Sequence, residues 1–358
     1  MKSVIVNEDI KNLVEEMKPV AHKLEGKTLL ISGGAGFLGR YFLLALDYLN
    51  QNVFTKPCRV LCVDNLIVDT LPDFIPANSN FKFIKHDITK PLHVEEEIHF
   101  IMHAASIASP VFYNKFKIET IDVGTFGTKN LLELAREKKV ESFLMFSSSE
   151  IYGDPYPQYI PTPESYLGNV SCVGPRACYD EPKRIAETMC MSYHHIFKVP
   201  IKIVRPFNVF GPGMKLDDMR VVANFVASGL RGENLPVHGN GLNTRTFCYI
   251  SDAIVQFFLI MLSDYEGEIF NVGNSDHEIT MMNLAKKIAD DFGVAVNKIE
   301  QPLEVYMKSN PQRRCPDLTK LKHTFSYSSK IDLDTGIQRF IEWAKEYSVQ
   351  TNFLVERK

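Results

Sequence analysis

Tyr179 and Lys183, four residues apart, are the first candidates for chemistry in this sequence. On a helix this spacing puts two side chains on one face, so the ammonium group would lie beside the phenol. A neighbouring positive charge lowers the pKa of a phenol from about 10 toward neutrality. The phenolate could then take a proton from a substrate hydroxyl while the adjacent carbon gives a hydride to a nicotinamide cofactor.

On its own such a pair is usually an ordinary surface contact, so its position in the chain matters. Pro182 directly precedes Lys183 and is tolerated only in the first turn of a helix, which predicts a helix that begins close to it. Residues 185–195 continue with a helical pattern.

A serine-rich segment that ends in a carboxylate, residues 147–150, follows the apolar run Ser142–Phe146. Its hydroxyls could hydrogen-bond the reacting oxygen of a substrate and orient it toward Tyr179. Glu150 would lie at the mouth of an apolar strand, where we expect a raised pKa and a role in moving protons. The alternative is a serine-rich turn without a ligand.

A glycine turn near the start of the chain is the candidate cofactor site. Gly33, Gly36 and Gly39 separate the apolar run 29–32 from the helical pattern 41–49. Gly33 suits a tight turn, Gly36 would let the backbone approach a pyrophosphate, and Gly39 would let the helix pack closely. The helix N-terminus would present unpaired N–H groups to the phosphates. The alternative is a strand, turn and helix that bind nothing.

Asp64, at the end of the next apolar run, indicates which dinucleotide would bind. An acid at this place can accept both ribose hydroxyls of an adenosine and repels a 2′-phosphate. An aspartate at a strand end is otherwise often only a turn residue. After the glycine turn, Asp64 favours NAD over NADP.

Strands and helices alternate from residue 27 to about residue 204, which predicts an α/β fold with a doubly wound, mostly parallel sheet. We expect a helical extension over 1–26 and a dinucleotide-binding Rossmann domain over 27–210 that also receives 247–273. Residues 211–246 and 274–358 would form a smaller, interleaved C-terminal substrate-binding lobe. Ligands of such sheets bind at the carboxyl ends of the strands. Polar residues follow these ends at Asp87, at 103–105, at 147–150 and at 205–208.

The composition excludes several other classes of protein. The 358 residues carry a formal net charge of −3, so the chain lacks the excess positive charge that favours binding to nucleic acid or to an anionic membrane. No apolar run approaches the roughly 18 residues of a membrane span, and residues 1–20 lack the apolar core of a signal peptide. Seven scattered cysteines indicate reduced thiols and a cytoplasmic location. His99 and His103 would lie about 13 Å apart on a strand, so we expect no metal site.

Together these motifs resemble the extended short-chain dehydrogenase/reductase superfamily, and within it the nucleotide-sugar branch. The matching segments are residues 33–39, 64, 87–88, 103–106, 148–153, 179 with 183, and 205–208. The resemblance implies NAD as cofactor, a nucleotide sugar as substrate and a homodimer. It also implies that Tyr179 and Lys183 contact the cofactor. The other cofactor contacts it implies are Gly33, Gly36, Phe37, Leu38, Gly39, Asp64, Asn65, Asp87, Ile88, Ala104 and Ala105.

Within that branch the chain is most similar to the UDP-glucuronate decarboxylase family. The similarity lies in residues 174–181, 183–184, 220–222, 224–225, 244–245, 312–314 and 316–317. It implies that Tyr179 deprotonates the sugar 4-hydroxyl while NAD takes the C4 hydride. The resulting 4-ketone makes the sugar a β-keto acid, which loses CO2 before NADH returns the hydride.

The same similarity implies roles for other residues. Ser148 would bind the 4-oxygen, Glu150 would assist proton transfer near C5, and Arg314 would hold the carboxylate or the ring. Arg245 would contact the nucleotide phosphates, for which a guanidinium is suited. The further substrate contacts that it implies are Ser149, Arg176, Asn208, Arg220 and His238.

Three other activities stay open on the sequence. A 4,6-dehydratase typically carries an Asp-Glu pair where this chain has Ser149 and Glu150, and a 4-epimerase typically lacks the acid at position 150. A non-catalytic NAD-sensing regulator could share the fold, because a fold alone does not fix a function. Such regulators usually lose the tyrosine and lysine, which are present here.

Overall fold

Seven parallel strands form one sheet at the centre of the molecule. The computed structural model describes residues 3–68, 74–299 and 311–351. The strands in chain order are β1 (Thr28–Ser32), β2 (Arg59–Asp64), β3 (Phe81–Lys85), β4 (Phe100–His103), β5 (Ser142–Phe146), β6 (Ile201–Pro206), β7 (Val209–Phe210), β8 (Leu235–His238), β9 (Thr244–Arg245), β10 (Cys248–Tyr249), β11 (Glu268–Val272), β12 (Ile279–Thr280), β13 (Val296–Ile299) and β14 (Arg313–Arg314). The order of strands in the central sheet is β11-β6-β5-β4-β1-β2-β3, so the order reverses between β1 and β4. Ligands bind at such a reversal in doubly wound sheets.

Helices cover both faces of this sheet. In chain order they are α1 (Val4–Ala21), α2 (Phe37–Asn52), α3 (Pro110–Lys115), α4 (Lys117–Asp122), α5 (Thr128–Lys138), α6 (Ala177–Phe197), α7 (Val221–Leu230), α8 (Ile250–Met261), α9 (Met281–Phe292), α10 (Thr319–Phe325) and α11 (Leu333–Gln350). A π-helical turn, Val123–Gly127, joins α4 to α5. Among the described residues no helix is both long and apolar enough to cross a membrane.

Successive strand residues face opposite sides of the sheet, so each side has its own apolar core. Leu29 and Ile31 of β1 pack on the side covered by α1, α2 and α8. Leu30, between them, packs on the side covered by α5 and α6. Both faces of β1 are therefore buried, as expected for a parallel sheet between two helical layers.

Helix α1 belongs to the core of the molecule. Leu13, Val14 and Met17 are almost fully buried, because α1 packs on α2 and α8. The Asp9 carboxylate accepts hydrogen bonds from the hydroxyls of Tyr41 and Tyr249, at 2.9 and 2.7 Å.

The segments outside the central sheet form three small sheets. Strand β9 pairs with β12 and β14, β8 pairs with β13, and β7 pairs with β10. The parallel register of β14 on β9 places Arg314 beside Arg245. The division into two lobes interleaved in sequence stays a prediction.

The predicted doubly wound parallel sheet is confirmed, whereas the expectation that a helix begins close to Pro182 is wrong. Within residues 247–250 only Cys248–Tyr249 form a strand, because α8 begins at Ile250. Pro182 is the sixth residue of α6 and lies beyond its first turn. Its ring packs against Gly124, where an added Cβ would come within 2.6 Å of the Pro182 Cβ atom.

Candidate active site

A cavity of about 1220 Å³ opens at the carboxyl ends of the central strands. It is lined by nearly all of the predicted site residues. These are Gly33, Gly36, Phe37, Leu38, Gly39, Asp64, Asn65, Asp87, Ile88, Ala104, Ala105, Ser148, Ser149, Glu150, Arg176, Tyr179, Lys183, Asn208, Arg220, Arg245 and Arg314. His238 is not among the lining residues and is exposed at the end of β8.

The glycine turn forms one wall of the cavity, and a different structural requirement explains the glycine at each of its three positions. Gly33 has φ +75°, and a Cβ there would come within 2.6 Å of the Ala105 backbone. A Cβ on Gly39 would overlap the backbone of Gly34, so α2 packs directly on the turn. At Gly36 a Cβ would meet nothing closer than the Gly33 carbonyl at 3.3 Å. The space beside Gly36 therefore belongs to the cavity.

Asp64 connects the end of β2 to this turn. Its carboxylate accepts hydrogen bonds from the backbone N–H groups of Ala35 and Leu66, at 3.1 and 2.9 Å. These bonds fix the carboxylate where β2 ends, at the edge of the cavity.

The glycine turn and Asp64 fit a dinucleotide. Helix α2 begins at Phe37, and Gly36, Phe37 and Leu38 line the cavity. The N–H groups of a helix N-terminus bind pyrophosphate, and a glycine beside them allows close approach. Asp64 is a suitable acceptor for ribose hydroxyls. This chain therefore has the donors and the space that NAD requires.

Tyr179 lies at the start of α6 and is buried. Burial raises the pKa of its phenol to about 12, and the negative charges of Glu150 and Asp180 act in the same direction. A hydrogen bond with the Ser148 hydroxyl opposes this rise in pKa. The predicted pKa near neutrality is therefore wrong for the protein by itself, because the loss of hydration outweighs the favourable contacts.

Lys183 lies on the same face of α6, as predicted, with its Nζ atom 5.9 Å from the centroid of the Tyr179 ring. The ammonium donates a hydrogen bond to the Phe146 carbonyl at 2.6 Å. Burial lowers the pKa of Lys183 to about 8. The end of β5 thus holds the lysine in place near the phenol.

Glu150 is held by two guanidinium groups. Arg314 donates two hydrogen bonds to its carboxylate, at 2.5 and 2.6 Å, and Arg176 forms an ion pair with the same group. Burial alone would raise the pKa of Glu150, but the positive charges of Arg176, Arg314 and Arg245 lower it to about 2. The predicted raised pKa is therefore wrong, because Glu150 stays ionised among arginines that the sequence places far away.

Asp180 is the acid of raised pKa in this site and was not among the residues predicted from the sequence. Its side chain is buried, and its nearest cation is Arg176, whose Nε atom lies 3.8 Å away. Within the described part of the chain its Oδ1 atom has no hydrogen-bond partner. Burial and the charge of Glu150 raise the pKa of Asp180 to about 7. The sequence does not reveal this raised pKa, because it depends on burial and on Glu150, which is 30 residues away in the chain.

A buried polar network lies behind the cavity wall. The Glu187 carboxylate accepts hydrogen bonds from Arg205, at 2.9 and 2.7 Å, and from the Ser147 hydroxyl at 2.5 Å. Arg205 also donates to the hydroxyl of Tyr152 at 2.8 Å. Arg205, expected at the ligand crevice, is therefore part of the support for the site.

His103 is likewise buried behind the wall, between the hydroxyls of Ser32 at 2.9 Å and Thr128 at 3.0 Å. Burial lowers the pKa of His103 to about 3, so its ring is neutral. The described residues contain no group of three or more histidine, cysteine or acidic side chains placed to hold a metal.

Two cations of the cavity wall were not identified from the sequence. Arg40, in the first turns of α2, lies over the Phe74 ring with its Cζ atom 4.2 Å from the centroid. The Nζ atom of Lys215 donates to the Val68 carbonyl at 3.0 Å. Arg40 directly follows Gly39, so its position in the glycine motif was the available signal.

Comparisons with known proteins show what this chain is similar to. Residues 29–273 match the model of the NAD dependent epimerase/dehydratase family. UDP-glucuronic acid decarboxylase 5 of Arabidopsis thaliana is 40% identical over 316 residues, which cover 86% of each chain. UDP-glucuronic acid decarboxylase 1 of Xenopus tropicalis is 36% identical over 331 residues, covering 91% of this chain and 74% of that protein. A dTDP-glucose 4,6-dehydratase of Streptomyces venezuelae, solved with NAD, has a similar fold, with a TM-score of 0.78 at 22% identity over 91% of this chain and 99% of that one.

Proposed function

The chain belongs to the NAD dependent epimerase/dehydratase family, and from that premise we propose that it is an NAD-dependent decarboxylase of UDP-glucuronic acid. Two curated relatives, at 40% and 36% identity, bear the name UDP-glucuronic acid decarboxylase. The proposed reaction converts UDP-glucuronate and one proton into UDP-xylose and CO2, with no net change in NAD.

The observation that carries this proposal is the group of three buried arginines in the cavity wall. Arg176, Arg245 and Arg314 are 8%, 6% and 6% exposed, and all three line the cavity. Glu150 is the carboxylate that pairs with two of them. An excess of positive charge in a buried site favours an anionic ligand, and guanidinium groups are suited to carboxylates. A sugar with a carboxylate therefore fits this wall better than a neutral hexose.

In the proposed reaction Tyr179 takes the proton from the C4 hydroxyl, which the Ser148 hydroxyl orients. The Ser148 hydroxyl opposes the rise in the pKa of the Tyr179 phenol, and both side chains line the cavity. NAD, which the glycine turn and Asp64 would hold, would supply the acceptor for the C4 hydride and the donor that returns it. Lys183 is held by the Phe146 carbonyl, with its Nζ atom 5.9 Å from the centroid of the Tyr179 ring, and its positive charge would stabilise the phenolate.

The sugar carboxylate would bind against the arginines and would leave as CO2 once C4 is a ketone. The electron pair of the broken C–C bond then moves into the ketone, and C5 must gain a proton. Glu150 is ionised and holds no proton of its own to give. We therefore assign it the role of positioning a water molecule that protonates C5.

The test is incubation of the protein with NAD and UDP-glucuronic acid. The expected products are CO2 and UDP-xylose, identified by mass spectrometry, with at most a transient rise in NADH absorbance. UDP-glucose and dTDP-glucose, which lack the carboxylate, serve as matched controls and should stay unchanged.

Each other outcome points to a different activity. Interconversion of UDP-glucose and UDP-galactose would replace the proposal with a 4-epimerase. A 4-keto-6-deoxy product from dTDP-glucose would indicate a 4,6-dehydratase. Thermal stabilisation by NAD with no turnover of any nucleotide sugar would indicate a sensor.

We also propose that the protein is a homodimer that pairs through the surface of α4, the π-helical turn and α6. Ile118, Phe126, Ile185 and Ile196 are exposed on these helices, at 65%, 59%, 44% and 69%, and α4 packs on α6. Exposed apolar side chains grouped in this way are typical of an interface. Two copies of the chain would bury them.

Light scattering after size exclusion should give twice the chain mass of 40.7 kDa. Ile185→Asp should shift the protein to the monomer, because a charge would be buried in the interface. Leu242 lies between β8 and β9 and is 65% exposed, so Leu242→Asp should leave the measured mass of the protein unchanged. A wild-type monomer would disprove the proposal.

A cytoplasmic location stays a prediction, supported by seven free thiols.

A further inference from the structure

We propose that Asp180 sets the affinity of the site for the sugar carboxylate, by taking up a proton when that carboxylate joins the arginine cluster. The arginine cluster is defined here as Arg176, Arg245 and Arg314 with Glu150. This inference rests on the proposed function. Asp180 does not line the cavity, so it acts as a positioning residue through Arg176.

The geometry around Asp180 leaves its carboxyl group underpaired. The side chain is 9% exposed, and its closest cation is the Arg176 Nε atom at 3.8 Å. The other side of that guanidinium is paired with Glu150. Among the described residues Oδ1 of Asp180 has no hydrogen-bond partner. A buried carboxylate in this position is costly, and protonation relieves the cost.

The charged groups around Asp180 come from several elements. Glu150, from the turn after β5, and Glu181, from α6, repel its negative form. Arg176 and Arg314, the latter on β14, stabilise that form. Helix α4, which packs on α6, carries Lys117, Glu119 and Asp122. Cys178, Tyr179 and Lys183 are further titratable groups on this part of α6, and the charge of Asp180 contributes to the raised pKa of the Cys178 thiol after burial.

Binding of an additional anion to the arginines favours the protonated form of Asp180. With Asp180 ionised, three guanidinium groups face two carboxylates, and a bound uronate would add a third negative charge. The added charge repels ionised Asp180 and raises its pKa above the value of about 7 in the protein alone. Near neutral pH Asp180 therefore becomes more protonated in the complex. The ligand binds tightly when Asp180 is neutral, and its affinity falls as the pH rises and the proton is lost.

The test is calorimetric titration of the NAD-loaded Tyr179→Phe protein, which cannot consume the substrate. Titrations in buffers of different ionisation enthalpy count the protons taken up on binding. UDP-glucuronic acid should bind with uptake of a fraction of one proton near neutral pH, and its Kd should rise by up to about tenfold per pH unit above that. Binding of UDP-glucose should cause no proton uptake by Asp180. Any proton uptake measured with UDP-glucose therefore comes from Lys183 and other residues.

Asp180→Asn in the same background should abolish the uptake and flatten the pH dependence of the Kd for the uronate. Asparagine keeps the shape of the side chain, and thermal unfolding checks that the variant is folded. Glu181→Gln is the matched control, because it removes a negative charge from the same helical turn outside the cavity wall. Because Glu181 repels ionised Asp180, its removal should shift the proton uptake to slightly lower pH without abolishing it.

Two results would overturn the inference in distinguishable ways. In the first, UDP-glucuronic acid binds more tightly than UDP-glucose, but the Asp180→Asn variant and its parent take up the same number of protons or none at all. Asp180 then has no such role, and the proposed function survives. If the protein shows no preference for the uronate at any pH, the proposed function fails and this inference fails with it.

Discussion

Replacing Tyr179 with phenylalanine is expected to lower turnover of UDP-glucuronic acid by about 10²- to 10⁴-fold, the range found when a general acid or base is removed. The phenol hydroxyl is the group that hydrogen-bonds Ser148 beside the end of β5. Phenylalanine keeps the ring, and with it the stacking on Tyr113 at 5.5 Å between centroids. The loss should therefore appear in kcat, with binding of NAD and nucleotide sugar preserved.

Steady-state rates with the uronate, together with calorimetric binding of NAD, measure this effect. Tyr156→Phe is the control, because that side chain is 54% exposed and lies outside the cavity lining. It should turn over at the wild-type rate. A Tyr179→Phe enzyme as fast as the wild type would remove the central step of the mechanism.

Replacing Glu187 with leucine is expected to destabilise the protein by about 3–5 kcal/mol, the usual cost of removing one partner of a buried ion pair. Glu187 and Arg205 are 8% and 6% exposed, so Arg205 would lose its carboxylate while buried. Ser147 would lose its acceptor as well. Because a native protein is stable by only about 5–15 kcal/mol, this is a large part of the total.

Urea unfolding followed by circular dichroism gives the free energy of unfolding for this comparison. Glu233→Gln is the matched control. The Glu233 side chain is 56% exposed, so its ion pair with Arg231 should contribute less than about 1 kcal/mol to the free energy of unfolding. Equal stability of Glu187→Leu and wild type would mean that the network does not support the site.

The fold could be predicted where residues next to one another in sequence carry the information. The apolar runs of β1, β2 and β5 and the glycines between β1 and α2 are local patterns, and the structure has these elements as expected. The strands β7, β9, β10, β12 and β14 are two residues long, too short for any periodicity to appear. Their pairing depends on the surrounding tertiary structure.

The candidate site shows the same division. The spacing of Tyr179 and Lys183 predicts that they share a face of α6, and it predicts nothing about how deeply they are buried. The pKa of Glu150 was predicted with the wrong sign because Arg314 is 164 residues away in sequence. Electrostatics of a buried site depend on the assembled neighbours, which a linear motif does not contain.

Helix α1 has a consequence for the order in which the chain can fold during its synthesis. The Asp9 carboxylate that joins Tyr249 and Arg339 must wait for partners 240 and 330 residues further along the chain. Until α8 and α11 leave the ribosome, α2 is the main partner that can cover the apolar side of this first helix, and the rest of that side stays exposed. Contacts of such long sequence separation form slowly and expose apolar segments meanwhile. Nascent chains of this protein are therefore expected to depend on chaperones until translation is almost complete.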